Sequence, residues 1–174
     1  NRGEKLQLDN PLINQNIREA IEEKELDSDQ EDKLKRLFAK EYPVLTAEKR
    51  LRAIAKDVVQ HFNNRGYKGK AMFVALDKVT AVKMYNFIEE ERKIYIKEQQ
   101  KAIEMLEDPQ ERISLGQALE WTKETEVAVV VSNEQNEISK FKDWGLDIEP
   151  HRLKMNTRDL ETDFKDEEHP FRFV

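Results

Sequence analysis

The chain has 174 residues, of which 38% are hydrophobic and 38% are charged, with five glycines, five prolines and no cysteine. Its 30 basic and 36 acidic side chains give a net charge of −6, so the surface as a whole does not attract nucleic acid. This composition excludes disulfides and thiolate metal sites, and the scarcity of Gly and Pro favours helices over an all-β sandwich or barrel. No apolar run reaches the roughly 18 to 20 residues of a membrane span, and we expect a cytoplasmic protein.

Helices are predicted throughout residues 1–66. Start signals for the first two helices stand at Asn10, which is followed by a proline, and at Ser28, which begins a capping box. The second of these helices is expected to end at Tyr42-Pro43, because the residue before a proline disfavours helical geometry. We therefore predict that residues 1–66 form a helical region.

The third helix of this region is predicted to begin at Thr46 and to end at Gly66, which supplies a left-handed cap. Its apolar residues recur at helical spacing: Leu51, Ile54, Ala55, Val58 and Phe62. The polar side carries four basic residues, Lys49, Arg50, Arg52 and Lys56. These residues face either a phosphate or solvent, and the interspersed Glu48 and Asp57 favour a solvated face.

Two continuous apolar runs, residues 71–76 and 127–131, predict parallel strands of one sheet that helices cover on both faces. Asp77 directly follows the first run and is expected to cap a helix that has Thr80 in its first turn. The final run, residues 171–174, is expected to add at most a short third strand. The predicted fold class is therefore α/β, a helix-rich chain with a small parallel sheet.

About fifty residues join the two apolar runs, far more than the dozen or so that a minimal crossover requires. A densely charged stretch and a new helix start at Asp108 predict a helical hairpin inserted at about residues 89–126. After the second run we predict a helix over about residues 134–144, stopped by Gly145. A mostly irregular stretch is expected from there to Pro170.

No motif for catalysis, cofactor binding or metal binding emerges from the sequence. The phosphate-binding pattern G-x-x-x-x-G-K-[ST] is absent. Residues 166–169 match the D-E-x-H pattern of helicase motif II, but no buried strand precedes them and Pro170 follows, so the match is attributed to chance. The three histidines have neither cysteine partners nor an H-x-x-x-H spacing, which argues against a metal site.

Seven segments carry a resemblance to a known family in the family's own order. They are YPVLTAEKR (residues 42–50), KAMFV (70–74), TAVKMY (80–85), VAVVVS (127–132), PHR (150–152), DFKD (163–166) and FRFV (171–174). The chain in this respect resembles the motor (R) subunit of type I restriction endonucleases, and the resemblance covers nearly its whole length.

The resemblance implies that residues 1–66 form a helical linker region between two RecA-like motor lobes. Residues 67–174 would then form a partial second RecA-like helicase lobe. In the family, the ATP loop and nuclease site lie upstream of this stretch, and the T-G-x-D and arginine-finger motifs lie downstream. ATP and Mg²⁺ would thus belong to the parent subunit, and we expect the isolated chain to bind no cofactor and to be inactive as an ATPase and nuclease.

The parent subunit, by the same resemblance, uses ATP hydrolysis to translocate duplex DNA and then cleaves it. Its implied partners are double-stranded DNA and the methylase and specificity subunits of the restriction complex, with no membrane. In related motors the first strand of the second lobe and the helix after it contact the tracked DNA strand. The corresponding DNA phosphate-binding candidates are Asp77, Lys78 and Thr80, although Asp77 opposes an anion unless it caps the helix.

A function of a different class stays open, namely a helical protein-interaction module with a small α/β base and no motor role. The start at Asn1 and the alternating apolar run at residues 171–174 predict that the chain is a piece of a longer protein. The codons that follow in the gene would distinguish the two functions, because motor signatures should appear within one lobe's length.

Overall fold

The computed structural model of the protein describes residues 41–174. Tertiary contacts divide the chain into two compact units, residues 1–54 and residues 55–174. Helix α1 (Glu48–Asn64) runs across this division. The helices predicted from Asn10 and from Ser28 to residue 40 lie outside the described residues.

The described part of the first unit is helical at residues 41–45, so helical geometry includes Pro43 and the predicted end at Tyr42-Pro43 is wrong. This helical segment ends at Thr46, whose hydroxyl and amide both donate to the carbonyl oxygen of Tyr42, at 2.7 and 2.9 Å. Nearby, Arg50 donates to the carbonyl oxygen of Leu45. Arg52, another basic residue of α1, forms an exposed ion pair with Glu48 of the same helix. This pair agrees with the expectation that the basic side of α1 faces solvent.

The carboxyl-terminal half of α1 belongs to the second unit and ends close to the predicted position, with Gly66 at a φ of 78°. The ring of Phe62 stacks on Trp121 with 5.3 Å between centroids and meets the edge of Phe173 at 5.5 Å. Asn63 accepts a hydrogen bond of 2.7 Å from the hydroxyl of Thr122. Aromatic packing and this polar contact together fix α1 to the remainder of the second unit.

Helices α2 (Lys78–Glu104) and α3 (Pro109–Glu124) form the predicted hairpin. The first arm of the hairpin is not a separate helix, because α2 continues without interruption for 27 residues from the end of the first apolar run. Arg92 of α2 donates to the carbonyl oxygens of Thr122 and Thr125, which lie at the end of α3. None of the helices from residue 41 onward is both long enough and apolar enough to cross a lipid bilayer.

The sheet consists of two parallel strands, β1 (Glu126–Val127) and β2 (Phe171–Phe173), and a third segment, residues 71–76, joined to β2 by a single parallel bridge at Ala71. Both apolar runs contribute parallel pairing, as predicted, but neither is a strand over its predicted length, because β1 includes only Val127 of the second run and only Ala71 of the first run bridges to β2. The strand at residues 171–173 is not a peripheral addition, however, because it lies between the other two. The sheet order is the 71–76 segment, then β2, then β1.

The prediction that both apolar runs are buried on both faces holds for Val127, Ala128 and Val129 of the second run but is wrong for the first run and for the end of the second. Met72 and Val74 are 67% and 83% exposed, and Val130 is 56% exposed. The side chains of the 71–76 segment alternate between exposed and partly buried positions, as in a strand with one covered face. Among the described residues, nothing covers the other face of this segment.

Three short helices follow β1: α4 (Glu137–Asp143), α5 (Glu149–Thr157) and α6 (Leu160–Lys165). The irregular stretch predicted up to Pro170 is therefore wrong, since α5 and α6 lie within it. Helix α5 has a proline in its first turn, and α6 is capped by Asp159, whose carboxylate accepts from the amide and hydroxyl of Thr162. Helix α4 ends before Gly145, as predicted, with a φ of 67° at that glycine.

Two apolar clusters lie on opposite sides of the second run. Val129 packs in one cluster with Val82 of α2, Phe141 of α4 and Ile148. The adjacent residue, Ala128, packs in the other cluster with Leu160 of α6 and Phe171 of β2. Because successive side chains of a strand point to opposite faces, α2 and α6 cover different faces of the sheet.

Candidate functional site

The predicted DNA phosphate site lies at the carboxyl edge of the sheet, where α2 begins. Lys78 stands in the first turn of α2, and its Nζ lies 3.3 Å from Oε2 of Glu134, which follows the second apolar run. The ion pair brings the two loops after the parallel runs into contact, as expected for strands whose carboxyl ends meet at one edge. The site therefore combines side chains from two loops that are distant in sequence.

Asp77 acts as the N-cap of α2, as predicted. Its Oδ1 accepts a hydrogen bond of 2.7 Å from the amide of Thr80. The cap satisfies one of the amides that would otherwise be available to an anion at the helix start. The side chain of Thr80 faces inward, and its hydroxyl is buried with no hydrogen-bond partner among residues 41–174.

Lys78 shares Glu134 with a second cation, Lys140 of α4. Hydrogen bonds from Lys140 and Lys78 hold the pKa of Glu134 below its ordinary value. The carboxylates of Asp77 and Glu134 balance the two lysines, so the cluster is close to neutral without a ligand. Glu134 therefore competes with any anion for Lys78.

Arg152 of α5 orders the loop that carries Glu134. Its guanidinium donates to both carboxylate oxygens of Glu137, at 2.7 and 2.8 Å, and to the carbonyl oxygens of Val131 and Ser132, at 3.1 and 3.3 Å. The hydrogen bonds from Arg152 lower the pKa of Glu137. This support places the last residues of the second run at a fixed position relative to α4 and α5.

Glu134, Lys140 and Arg152 were not among the predicted site residues. The sequence held a usable signal for Glu134, because charged residues just after two predicted parallel strands belong at one edge of the sheet. No comparable signal existed for Lys140, which lies on a short helix whose orientation depends on tertiary packing. The only signal for Arg152 was its place in the segment PHR (residues 150–152), one of the segments that carry the family resemblance.

The described residues do not fit a metal ion. No three His, Asp or Glu side chains of residues 41–174 form a group that could hold one. The D-E-x-H match at residues 166–169 follows helix α6 instead of a buried strand, and Nδ1 of His169 accepts from the amide of Phe171 at 3.1 Å. His169 therefore stabilises the turn that precedes β2.

His151 is also part of the packed structure. Its ring meets the edge of Tyr85 with 4.5 Å between centroids, and burial lowers its pKa from the ordinary value. Burial likewise raises the pKa of Tyr85. The two rings join α5 to α2 on the side of α2 that faces the sheet.

Comparison with known proteins links part of the chain to restriction enzymes. Over 85 residues it is 33% identical to a putative type I restriction enzyme MjaIXP endonuclease subunit from Methanocaldococcus jannaschii. The match covers 48% of this chain and 8% of that protein, so the chain spans a small part of its relative's length. No model of a known protein family matches the chain, and no solved structure matches it. Over about half of its length, the chain is therefore similar to an endonuclease subunit of a type I restriction enzyme.

Proposed function

We propose that this chain is a segment of the motor (R) subunit of a type I restriction endonuclease. The observation that carries the proposal is the 33% identity to a protein named as such an endonuclease subunit. In the proposed arrangement, residues 67–174 form the opening of the second RecA-like lobe and residues 1–66 the helical region before it. The parallel sheet with helices on both faces of its second run supports this arrangement.

The start of α2 would hold the DNA backbone in the parent subunit. Lys78 exchanges its partner, Glu134, for a phosphate oxygen, while the Asp77 cap keeps the first turn of α2 in place. A contact to phosphate positions a strand without reading its sequence. DNA recognition would therefore rest with the specificity subunit, and this site would serve translocation alone.

ATP hydrolysis and DNA cleavage are proposed for the parent subunit, with Mg²⁺ and ATP held outside the described residues. The isolated chain should have neither activity. Calorimetric titration of the chain with ATP in the presence of Mg²⁺ is expected to give no measurable binding. Micromolar affinity would contradict this part of the proposal.

The proposal is tested in the complete subunit assembled with its methylase and specificity subunits. Lys78→Ala is expected to slow ATP-dependent translocation while leaving the recognised sequence unchanged. Lys97→Ala is the matched control, because Lys97 is an exposed lysine further along the same helix. If the assembled complex shows no ATP-dependent translocation even with the unmodified chain, the proposed function is wrong.

One observation favours the alternative of a protein-interaction module. Met105 and Ile113, which lie on the hairpin formed by α2 and α3, are 82% and 58% exposed. Exposed apolar side chains on a hairpin suit contact with another protein. If the motor role is correct, replacing both residues with serine should leave translocation intact. If protein interaction is the function, the same replacement should abolish binding of the chain to the other subunits of the complex.

A further inference from the structure

A pocket of about 320 Å³ lies where the end of α1 meets the hairpin of α2 and α3. We call it the aromatic pocket. All of its lining residues belong to the second compact unit. They come from the end of α1 and the loop after it, from α2 and from α3: Asn63, Asn64, Gly66, Tyr67, Lys68, Tyr95, Gln99, Leu115, Ala118, Leu119, Trp121 and Thr122.

Tyr67 presents one open ring face to the aromatic pocket. The guanidinium of Arg65 lies over the ring at 4.6 Å from its centroid, and its Nε donates to the carbonyl oxygen of Tyr67 at 3.3 Å. Arg65 covers one face of the ring but does not line the pocket. Because Tyr67 is nevertheless 66% exposed, the opposite face of its ring is available to a ligand.

Trp121 contributes the edge of its indole. Its ring faces are used in packing, since Phe62 stacks on the ring and the guanidinium of Arg172 lies over it at 4.8 Å. Within residues 41–174, Nε1 of Trp121 has no hydrogen-bond partner. Over the same residues, the buried side-chain nitrogen and oxygen atoms that lack a partner include only the hydroxyl of Thr80. The indole N–H is therefore open to solvent and free to donate.

The amide side chains of the aromatic pocket keep more donors than acceptors free. Asn63 uses both ends of its amide within the fold. Oδ1 of Asn64 accepts from the hydroxyl of Tyr95 at 3.1 Å, and burial raises the pKa of that tyrosine, so the hydroxyl remains a donor. The described part of the chain supplies no partner for Nδ2 of Asn64 or for the amide of Gln99. A ligand that offers acceptors suits this arrangement.

We propose that the aromatic pocket binds a proline-rich segment of a partner protein in the polyproline II conformation. Proline has no backbone N–H, so such a segment presents carbonyl acceptors and few donors. Its rings pack on aromatic side chains, and its preformed conformation reduces the entropy lost on binding. Tyr67 supplies the ring face, while Asn64 and Trp121 supply donors to the carbonyl oxygens. This role goes beyond the proposed motor function and does not depend on it.

The remaining lining narrows the chemistry of the partner. Among the described residues that line the pocket, Lys68 is the only charged one, so an acidic residue beside the prolines suits the site and a basic one does not. A nucleobase suits it less, because a base edge presents donors as well as acceptors and only Gln99 keeps both ends of its amide free. An ordinary extended peptide would leave its backbone N–H groups without partners.

The test titrates the full chain with a decaproline peptide and follows the two indole N–H signals by nuclear magnetic resonance. We expect the Trp121 signal to shift progressively and to saturate. Trp144 is the internal control, because it is 55% exposed but does not line the pocket, and its signal should stay in place. A glycine-serine peptide of the same length, which is flexible and carries backbone N–H groups, should shift neither signal.

Two substitutions test the assigned contacts. Tyr67→Ala removes the open ring face and should weaken peptide binding by about tenfold or more. Asn64→Asp retains the oxygen that accepts from Tyr95 but removes the free donor, so affinity should fall by about fivefold to tenfold. Met72→Ala is the matched control, because Met72 is a large exposed side chain outside the pocket and its loss should leave affinity unchanged.

Absence of a Trp121 shift at millimolar decaproline would overturn the proposal, as would equal shifts of both tryptophans or an equal response to the glycine-serine peptide. Undiminished binding by both Tyr67→Ala and Asn64→Asp would also overturn it. A Trp121 shift with single-stranded oligothymidylate but not with decaproline would overturn it in favour of a nucleobase. These measurements need neither ATP nor the other subunits, so their failure is distinguishable from failure of the motor function.

Discussion

The guanidinium of Arg152 and the carboxylate of Glu137 form a two-pronged ion pair, with donor–acceptor distances of 2.7 and 2.8 Å. Both side chains are largely buried, at 17% and 12% exposure. The same guanidinium also donates to two carbonyl oxygens at the end of the second apolar run. The pair thus connects α4, α5 and the sheet.

We expect Arg152→Ala to lower the free energy of unfolding by about 2–3 kcal/mol, because the change leaves a mostly buried carboxylate without its partner. Urea denaturation followed by circular dichroism measures the effect. Lys142→Ala is the control, since Lys142 and Glu149 form an exposed pair that should contribute less than about 0.5 kcal/mol. Equal effects of the two substitutions would contradict the structural role of Arg152.

Glu126 provides a prediction for acid stability. Burial raises the pKa of this carboxyl, but hydrogen bonds from Arg158 and Lys154, at 2.6 and 2.8 Å, outweigh burial and lower the pKa below the ordinary 4.5. A carboxyl with a lowered folded-state pKa stabilises the protein above its unfolded pKa, and the contribution disappears as the pH falls through the folded value.

Glu126→Gln should therefore cost about 1–2 kcal/mol near pH 7 and progressively less as the pH falls below about 4.5. Unfolding free energies measured from pH 7 to pH 3 give the difference between variant and unmodified chain. Glu98→Gln serves as the control for loss of one negative charge, because Glu98 is an exposed residue of α2. A cost for Glu126→Gln that stays constant over this range would contradict the assigned cause.

Glu134 provides a second test of the predicted phosphate site. If phosphate replaces Glu134 as the partner of Lys78, Glu134→Gln should strengthen DNA binding by the complete subunit, whereas Lys78→Ala should weaken it. Lys78→Ala should also reduce the slope of log affinity against log salt by about one unit. Fluorescence anisotropy over a salt series with two unrelated DNA sequences measures both effects. Weaker binding by Glu134→Gln would show that the carboxylate positions the site.

The first turn of α2 offers a comparison between two neighbouring polar groups. Asp77→Ala removes the cap on the amide of Thr80 and should cost about 1 kcal/mol. Thr80→Val replaces a buried hydroxyl that has no partner among the described residues, so it should be neutral or slightly stabilising. Thermal unfolding of both variants checks the pair, and a larger loss for Thr80→Val would indicate that the hydroxyl has a partner in solution.

Local signals in the sequence predicted the helices of the second unit where the signals were strong. The Asp77 cap, the Asp108 start, the left-handed cap at Gly66 and the helix stop at Gly145 all occur as expected. Helices α5 and α6 were missed because they are short and polar, so hydrophobic periodicity is weak in both. Their starts nonetheless carried usual signals, a proline in the first turn of α5 and an aspartate, Asp159, at the N-cap of α6.

The sheet order could not be predicted from the apolar runs alone. A run of apolar residues indicates a buried strand but not its neighbours, and the shortest run, residues 171–174, proved to be the central one. Burial of both faces of the first run was likewise overestimated, because the side chain of Val74 is 83% exposed. The phosphate candidates Asp77, Lys78 and Thr80 followed from the family resemblance, whereas the ion pair between Lys78 and Glu134 is a tertiary contact.

The central position of β2 has a consequence for the order of events during protein synthesis. The hairpin of α2 and α3 uses contacts between neighbouring parts of the chain and forms as soon as both helices have left the ribosome. Both parallel pairings require residues 171–174, which follow both apolar runs in the chain. The two runs therefore remain unpaired until residues 171–174 have been made, a period in which binding by a chaperone would protect them from aggregation.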